Sequence, residues 1–368
     1  MTMAIQKPRY VQLADQLREM ISSGELQVGD RLPSYTEMYR QFGAAPATMQ
    51  RVCDLLEQEN LIERRGGSGI YVAEAKRQLT GNIGVLGKGD FRTVPGTFFA
   101  HLGQGAQQAA AHHERHLIWL YGEWNSGIKD VDGLLLSGHP TVINQKIARL
   151  KPRHLPVVSM FIIAEGMNSV VVDDYGAAKI ATRHLLELGH QRIACLTRDL
   201  THTPQIPRNR LAGYEDALQE AGIICNPRWV RRVRFPEDEL PKTITRHQSW
   251  LQWSREQMQN WLKENWRELG CTAILAQNDH VAIGIMQVLQ EANIDVPGQV
   301  SVMGFDGTEL CDHVTPRLTS MQLPLEQIGA KGVDLLVEQI KMGQAGEIIV
   351  VLPAKLREGA STAKRRTK

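Results

Sequence analysis

The chain has 368 residues, more than one core serves at the usual ~100 to 200 residues per domain, so at least two domains are expected. With 42% hydrophobic and 22% charged residues its composition is ordinary for a globular protein, which excludes disorder as the main state. Lys and Arg number 42 against 40 Asp and Glu, so no molecule-wide positive field exists and any nucleic-acid contact must be local.

Residues 1–75 differ in texture from the rest. Val11, Leu13, Ala14, Leu17, Met20 and Ile21 fall at near-helical spacing before Gly24, which predicts a first amphipathic helix. Gly29 to Ser34 reads as a turn with Ser34 as N-cap, and Met38, Tyr39 and Phe42 mark a short second helix ended by Gly43. Pro46 suits the first turn of a third helix, whose buried stripe is Met49, Val52, Cys53, Leu55 and Leu56. Residues 61–65 and 70–72 flank Gly66-Gly67-Ser68-Gly69 as a β-hairpin. Three helices and a hairpin make a winged helix-turn-helix.

A polar linker is expected at 76–80, and from 81 to 368 strands alternate with helices. Buried strands are predicted near 82–86, 131–136, 155–158, 192–196, 273–276 and 300–304, with helices near 177–188, 211–221 and 280–292. This alternation implies a doubly wound α/β fold with its sites at the C-terminal ends of strands. The residues from 361 onward are polar and basic and are expected to be disordered.

No apolar run approaches the roughly 18 to 25 residues of a membrane span, and Met1 to Tyr10 lacks a signal-peptide stretch, so a cytoplasmic location is expected. Five widely spaced cysteines (Cys53, Cys195, Cys225, Cys271, Cys311) support neither a disulfide framework nor a zinc site. His112 and His116 form an i, i+4 pair beside His113, but nothing completes a metal site, and a solvated helix face is the expectation. Trp250, Trp253, Trp261 and Trp266 lie in and beside residues 236–265, where an amphipathic insertion packing its own apolar face, as a dimer or lid element, is favoured over stacking on a ligand.

Leu32-Pro33-Ser34, Phe42-Gly43, Thr48, Leu56-Glu57 and Gly67-x-Gly69 with Tyr71-Val72 resemble the DNA-binding domain of GntR-type transcription regulators. The resemblance implies that the helix opening at Pro46 enters the major groove, the helix start after Ser34 touches phosphate, and Gly67 of the wing reaches the minor groove. Two departures stand out. Tyr35 and Thr36 replace an acidic residue and an arginine, and Pro46 and Gln50 replace two arginines. Base readout then falls to Gln50, suited to adenine, and Thr48, suited to phosphate or a thymine methyl, beside Ser34, Thr36, Arg51 and Arg65. For Arg51, Arg64 and Arg65 a solvated charge face is the alternative. Met1 to Ala75 holds eight Lys or Arg and ten Asp or Glu, a net −2, so a homodimer on a palindromic double-stranded operator is expected to supply the missing affinity.

The larger module resembles the effector domain of LacI-type repressors and the related periplasmic sugar-binding proteins, ribose-binding protein above all. The residues that carry the likeness are Val170 to Asp174, Leu188-Gly189-His190, Arg210 to Tyr214, Ala276 to Asp279, Gly304 to Gly307 and Gln322-Leu323-Pro324. This implies a two-lobed, periplasmic-binding-protein-like (type I) doubly wound α/β domain. By the same resemblance Arg210, Asn278, Asp279, Asp306 and Gln322 would bond a sugar's hydroxyls, and Phe98 and Phe99 would sandwich its ring. An Arg210–Asp306 salt bridge and core packing of the two Phe are the structural alternatives, and Asp173-Asp174 reads as a strand end and helix cap. Where relatives place a polar Asp-Arg pair, this chain has Met160-Phe161-Ile162, which points to a less polar sugar or a purine-like ring. The function expected is a ligand-responsive regulator, a repressor without enzymatic activity, cofactor or metal. A pyridoxal-phosphate enzyme fusion and a transport protein are the other classes weighed.

Overall fold

The computed structural model describes residues 8–59, 61–73, 79–87, 97–120, 128–137, 155–199, 205–235, 246–342 and 347–365. The chain divides into two compact units, 1–79 and 80–368.

In the first unit α1 (Arg9–Ser23) ends where Gly24 adopts φ +82, a left-handed conformation that glycine reaches without strain. α2 (Tyr35–Phe42) and α3 (Pro46–Gln58) follow, then a hairpin of β1 (Ile62–Arg65) and β2 (Gly69–Val72) with Ile62 opposite Val72. Leu13, Leu17, Met38, Met49, Val52, Leu56 and Ile62 are buried together and tie all three helices to the hairpin.

The second unit holds two six-stranded sheets. One lobe, called the N-lobe here, has the strand order β13-β7-β6-β5-β3-β4, built from β3 (Asn82–Gly87), β4 (His116–Leu120), β5 (Gly133–Ser137), β6 (Val157–Met160), β7 (Asn168–Val172) and β13 (Ile349–Leu352). All its pairings are parallel. The C-lobe has the order β14-β12-β11-β10-β8-β9, from β8 (Ile193–Arg198), β9 (Val230–Val233), β10 (Ala273–Ala276), β11 (Ser301–Asp306), β12 (Thr319–Gln322) and an antiparallel edge strand, β14 (Lys355–Arg357). The chain passes between lobes after β7, after β12 and after β13.

Helices cover the sheets: α4 (Phe98–His112), α5 (Asp174–Glu187), α6 (Gln205–Glu220), α7 (Arg246–Glu264), α8 (Trp266–Leu269), α9 (Asp279–Glu291) and α10 (Leu325–Met342). Fully buried runs such as Gly133–Ser137 and Ala273–Ala276 show why: a parallel strand covered on both faces must be apolar throughout. Thr80 starts the unit by donating its N–H to the buried Asp132 carboxylate at 2.8 Å, which Arg115 neutralises from 2.5 Å.

Three expectations are corrected. Residues 361–365 are not disordered: the Ser361 hydroxyl is fully buried, donates to Val302 O (2.6 Å) and accepts from Thr319 N (2.8 Å), and Arg365 N donates to Leu188 O (2.8 Å). Small hydroxyl and alanine side chains let this polar segment pair with open backbone groups of the C-lobe. His112 and His116 do not share a helix face, because α4 ends at His112 and His116 opens β4. Trp250, Trp253, Trp261 and Trp266 do pack as an apolar face, but they pack into the core of the C-lobe and form no separate dimer or lid element, with Phe235 stacked on Trp250 at 3.6 Å. Residues 236–245 of that segment lie outside the described residues.

Candidate DNA interface and effector cleft

Ser34 caps α2 in a reciprocal box with Glu37, whose carboxylate accepts from the Ser34 hydroxyl (2.8 Å) and backbone N–H (2.7 Å). These bonds hold Glu37 below the usual carboxylate range. Pro46 opens α3 where a missing N–H costs nothing, and Gln50 and Arg51 are exposed on its first turns with Thr48 half-buried. The side chain of Thr36 lies outside the described residues. Gly67 stands at the wing tip with φ +72. The wing's arginines have partners within the module: Arg64 bonds Asp54 and, at 2.6 Å, Glu57, while Arg65 bonds Glu63 at 2.7 Å and lies 4.5 Å from the Tyr71 ring.

The other expected residues gather at the C-terminal ends of strands in the two lobes, where an open α/β sheet leaves a crevice. From the N-lobe, Phe98 and Phe99 open α4 and meet edge to face at 5.2 Å. Phe161, just after β6, adds a third ring 5.1 Å from Phe98. From the C-lobe come Arg210, Asn278, Asp306 and Gln322.

Arg210 is fixed on three sides. Its Nε donates to Asp174 Oδ1 at 2.7 Å, its Nη1 to the Gln277 carbonyl at 2.5 Å, and its guanidinium lies 4.3 Å from the Phe305 ring centroid. The ion pair therefore runs to Asp174 and not to Asp306. Burial raises the Asp174 pKa while Arg210 opposes that rise.

Asp279 has a different job from the one expected. It is wholly buried; Oδ2 accepts from Gly307 N (2.8 Å), Thr308 N (3.4 Å) and Cys311 Sγ (3.3 Å), and Oδ1 from Ser320 Oγ (2.5 Å). Those bonds hold the 306–308 turn, in which Asp306 sits at φ +115 and a Cβ on Gly307 would lie 2.3 Å from Gln322 Cα. Burial pushes Asp279 up to about 6 despite its four donors. Burial and the neighbouring Asp279 charge raise the Asp306 pKa, while Arg210 opposes that rise. Asn278 spends its side-chain carbonyl capping α9 through Val281 N (2.8 Å), leaving its NH2 for other contacts.

A cavity of about 460 Å³ opens beside the crossings, with Asp306, Gln322, Thr308 and Lys355 among its lining residues. Phe98, Phe99, Arg210 and Asn278 are not in that lining. Its rim holds His101, whose Nε2 is 2.9 Å from both Glu309 oxygens and whose Nδ1 is 3.0 Å from Glu326. Burial disfavours a charged His101, but the two carboxylates prevail and raise its pKa.

Asp174 and His101 were not singled out in the sequence as site residues, and Phe161 entered only as part of the apolar Met160-Phe161-Ile162 stretch. Asp174 offered a signal as the second of two acidic residues at a helix start after an apolar run.

Residues 9–72 match the GntR family of bacterial regulatory proteins, and residues 182–362 match the periplasmic binding protein-like domain. The chain is 24% identical to the HTH-type transcriptional repressor PurR of Vibrio vulnificus over 58% of its length and 59% of that relative's. Its likeness to the arabinose metabolism transcriptional repressor of Geobacillus stearothermophilus is longer, 24% identity over 93% of both chains. Among solved structures, a LacI family transcriptional regulator from Enterococcus faecium with bound ribose superposes with a TM-score of 0.63 at 24% identity, over 77% of this chain and all of that one.

Proposed function

Because the chain joins a GntR-family regulatory domain to a periplasmic-binding-protein-like domain, we propose that it is a ligand-responsive transcription repressor acting in the cytoplasm, with no catalytic step of its own. The observation that carries the effector half is Arg210. It is clamped by Asp174 and Gln277 over the Phe305 ring, close enough to Asp306 for their charges to interact, at the cleft end of the C-lobe sheet. A guanidinium held this firmly beside a carboxyl, with Nη2 not used by those two bonds, suits a ring bearing several hydroxyls, that is a sugar or sugar derivative. Effector-dependent movement of the lobes would alter the spacing of two reading modules in a homodimer, and with it the fit to a palindromic operator. The assay is operator binding by fluorescence anisotropy, with a library of sugars and nucleobases screened for release and for thermal stabilisation.

A nucleobase-like effector is the second reading. What favours it is Phe161, a third ring 5.1 Å from Phe98 in the stretch where a polyol would want polar partners.

A further inference from the structure

Residues 161–163 follow β6 at the cleft end of the N-lobe sheet, and α6 begins at the cleft end of the C-lobe sheet. Across the gap the Gln205 carboxamide meets Ile163 twice. The Ile163 N–H donates to Gln205 Oε1 at 3.0 Å, and Gln205 Nε2 donates to the Ile163 carbonyl at 2.9 Å. A neutral amide carries one acceptor and one donor side by side, which matches the N–H and C=O of a single residue's backbone. The same turn is fixed from within. The buried Ser159 hydroxyl donates to Ile162 O at 2.7 Å, and Phe161 N donates to Val170 O at 2.8 Å. Phe161 sits at φ +72, a left-handed conformation that an aromatic residue holds only where its surroundings impose it.

We propose that Gln205 is a positioning residue of the effector site: a two-point clip on the Ile163 backbone that draws the lobes together and sets the Phe161 turn as the apolar wall of the cleft. The proposal rests on the effector-cleft reading above. It adds that closure is biased by this chain's own groups before any ligand arrives, and that the wall facing the ligand is completed only when the lobes meet. The clip reads backbone alone, and the Ile163 side chain is left 43% exposed. Arg210 lies on the same helix, so a swing of α6 that releases Gln205 also withdraws Arg210 from the wall opposite.

The test uses the full chain without effector or operator, so failure of the regulator reading cannot imitate failure of the clip. Spin labels at Gln107→Cys in the N-lobe and Lys263→Cys in the C-lobe, on a Cys225→Ser background and diluted with unlabelled chain, report the interlobe distance by pulsed dipolar spectroscopy. The parent should show one short distance. Gln205→Ala should raise the open fraction roughly tenfold, as expected for two hydrogen bonds of ordinary net strength. Gln205→Glu should be open near neutral pH, where two acceptors face the Ile163 carbonyl, and should close again as acid restores a donor. An unchanged distance in Gln205→Ala, or a Gln205→Glu profile with the pH dependence of the parent, overturns the proposal. Should Gln205→Ala melt early, the pH-dependent recovery of Gln205→Glu decides alone, since a general packing defect would not be repaired by protonating that carboxyl.

Discussion

Replacing Arg210 with Ala strands the Asp174 carboxylate. The two side chains are only 13% and 6% exposed, so the pair is largely shielded from solvent, and removing one partner of such a pair costs about 3 to 5 kcal/mol. Loss of the guanidinium from the Phe305 ring adds to this by about 0.5 to 2 kcal/mol, part of which Asp174 recovers by taking up a proton. For the unit spanning Thr80–Lys368, about 290 residues, an unfolding entropy near 2.1 cal/mol/K per residue gives about 0.6 kcal/mol/K. A loss of 3 to 5 kcal/mol thus becomes a fall of roughly 5 to 8 °C in its melting temperature. Adding Asp174→Asn removes the stranded charge and should restore at least half of that fall, while the effector response stays lost in both variants. Calorimetry of the full chain beside an operator-release titration reads both quantities. A single variant melting within about 1 °C of the parent, or a double variant no better than the single, would refute the buried-pair argument.

Gln50→Ala should relax base preference at one position per half-site by roughly 1 to 3 kcal/mol, read by selection from a randomised operator. Deleting residues 361–368 should cost about 1 to 3 kcal/mol for each of the Thr319 N–H and Val302 C=O groups left buried without Ser361, so the second unit should melt earlier while the first is unaffected. Asp279 has a folded pKa of about 6, above its ordinary 3.8, so its contribution to stability is fully present below about pH 3.8 and is lost as pH rises through 6. Denaturant midpoints between pH 4 and 7 should show that component vanish in Asp279→Asn. Light scattering at micromolar concentration should find a dimer; a monomer that still holds a palindrome tightly would remove the half-site argument.

The helices of the reading module and the buried strands were legible because their information is local. Gly24, Gly43 and Pro46 mark boundaries by their backbone chemistry and Ser34 by its capping hydroxyl, and runs such as Ala273–Ala276 are short and wholly apolar, as a strand covered on both faces requires. The candidate site could be proposed from residue types expected at strand ends, but the bonds those residues make with one another could not. That Asp279 supports a turn, that Arg210 pairs with Asp174, and that Phe161 adopts a left-handed turn to reach Phe98 all depend on partners roughly 30 to 60 positions away in sequence, whose distance in space no spacing rule encodes. The tail beyond 361 misled for the same reason. Its polar composition resembles disorder, yet its polar atoms complement open backbone groups near the starts of β11 and β12, some 40 to 60 residues earlier.

The three crossings between lobes also set an order of events in the life of the molecule. The reading module closes through contacts within residues 9–72, whereas the N-lobe sheet gains β13 only by joining Ile348 to Asn168, 180 positions earlier. Local contacts form quickly and distant ones slowly. At a synthesis rate of about 5 to 20 residues per second, close to 280 residues separate a finished first unit from a finished second one, an interval of roughly 15 to 60 seconds. On the regulator reading proposed above, each nascent chain passes through a stage in which the first unit is folded and no finished effector unit is there to answer a ligand. On the same reading, pairing through the late-folding unit would keep that stage weak, because a lone first unit with net charge −2 gains little from phosphate attraction.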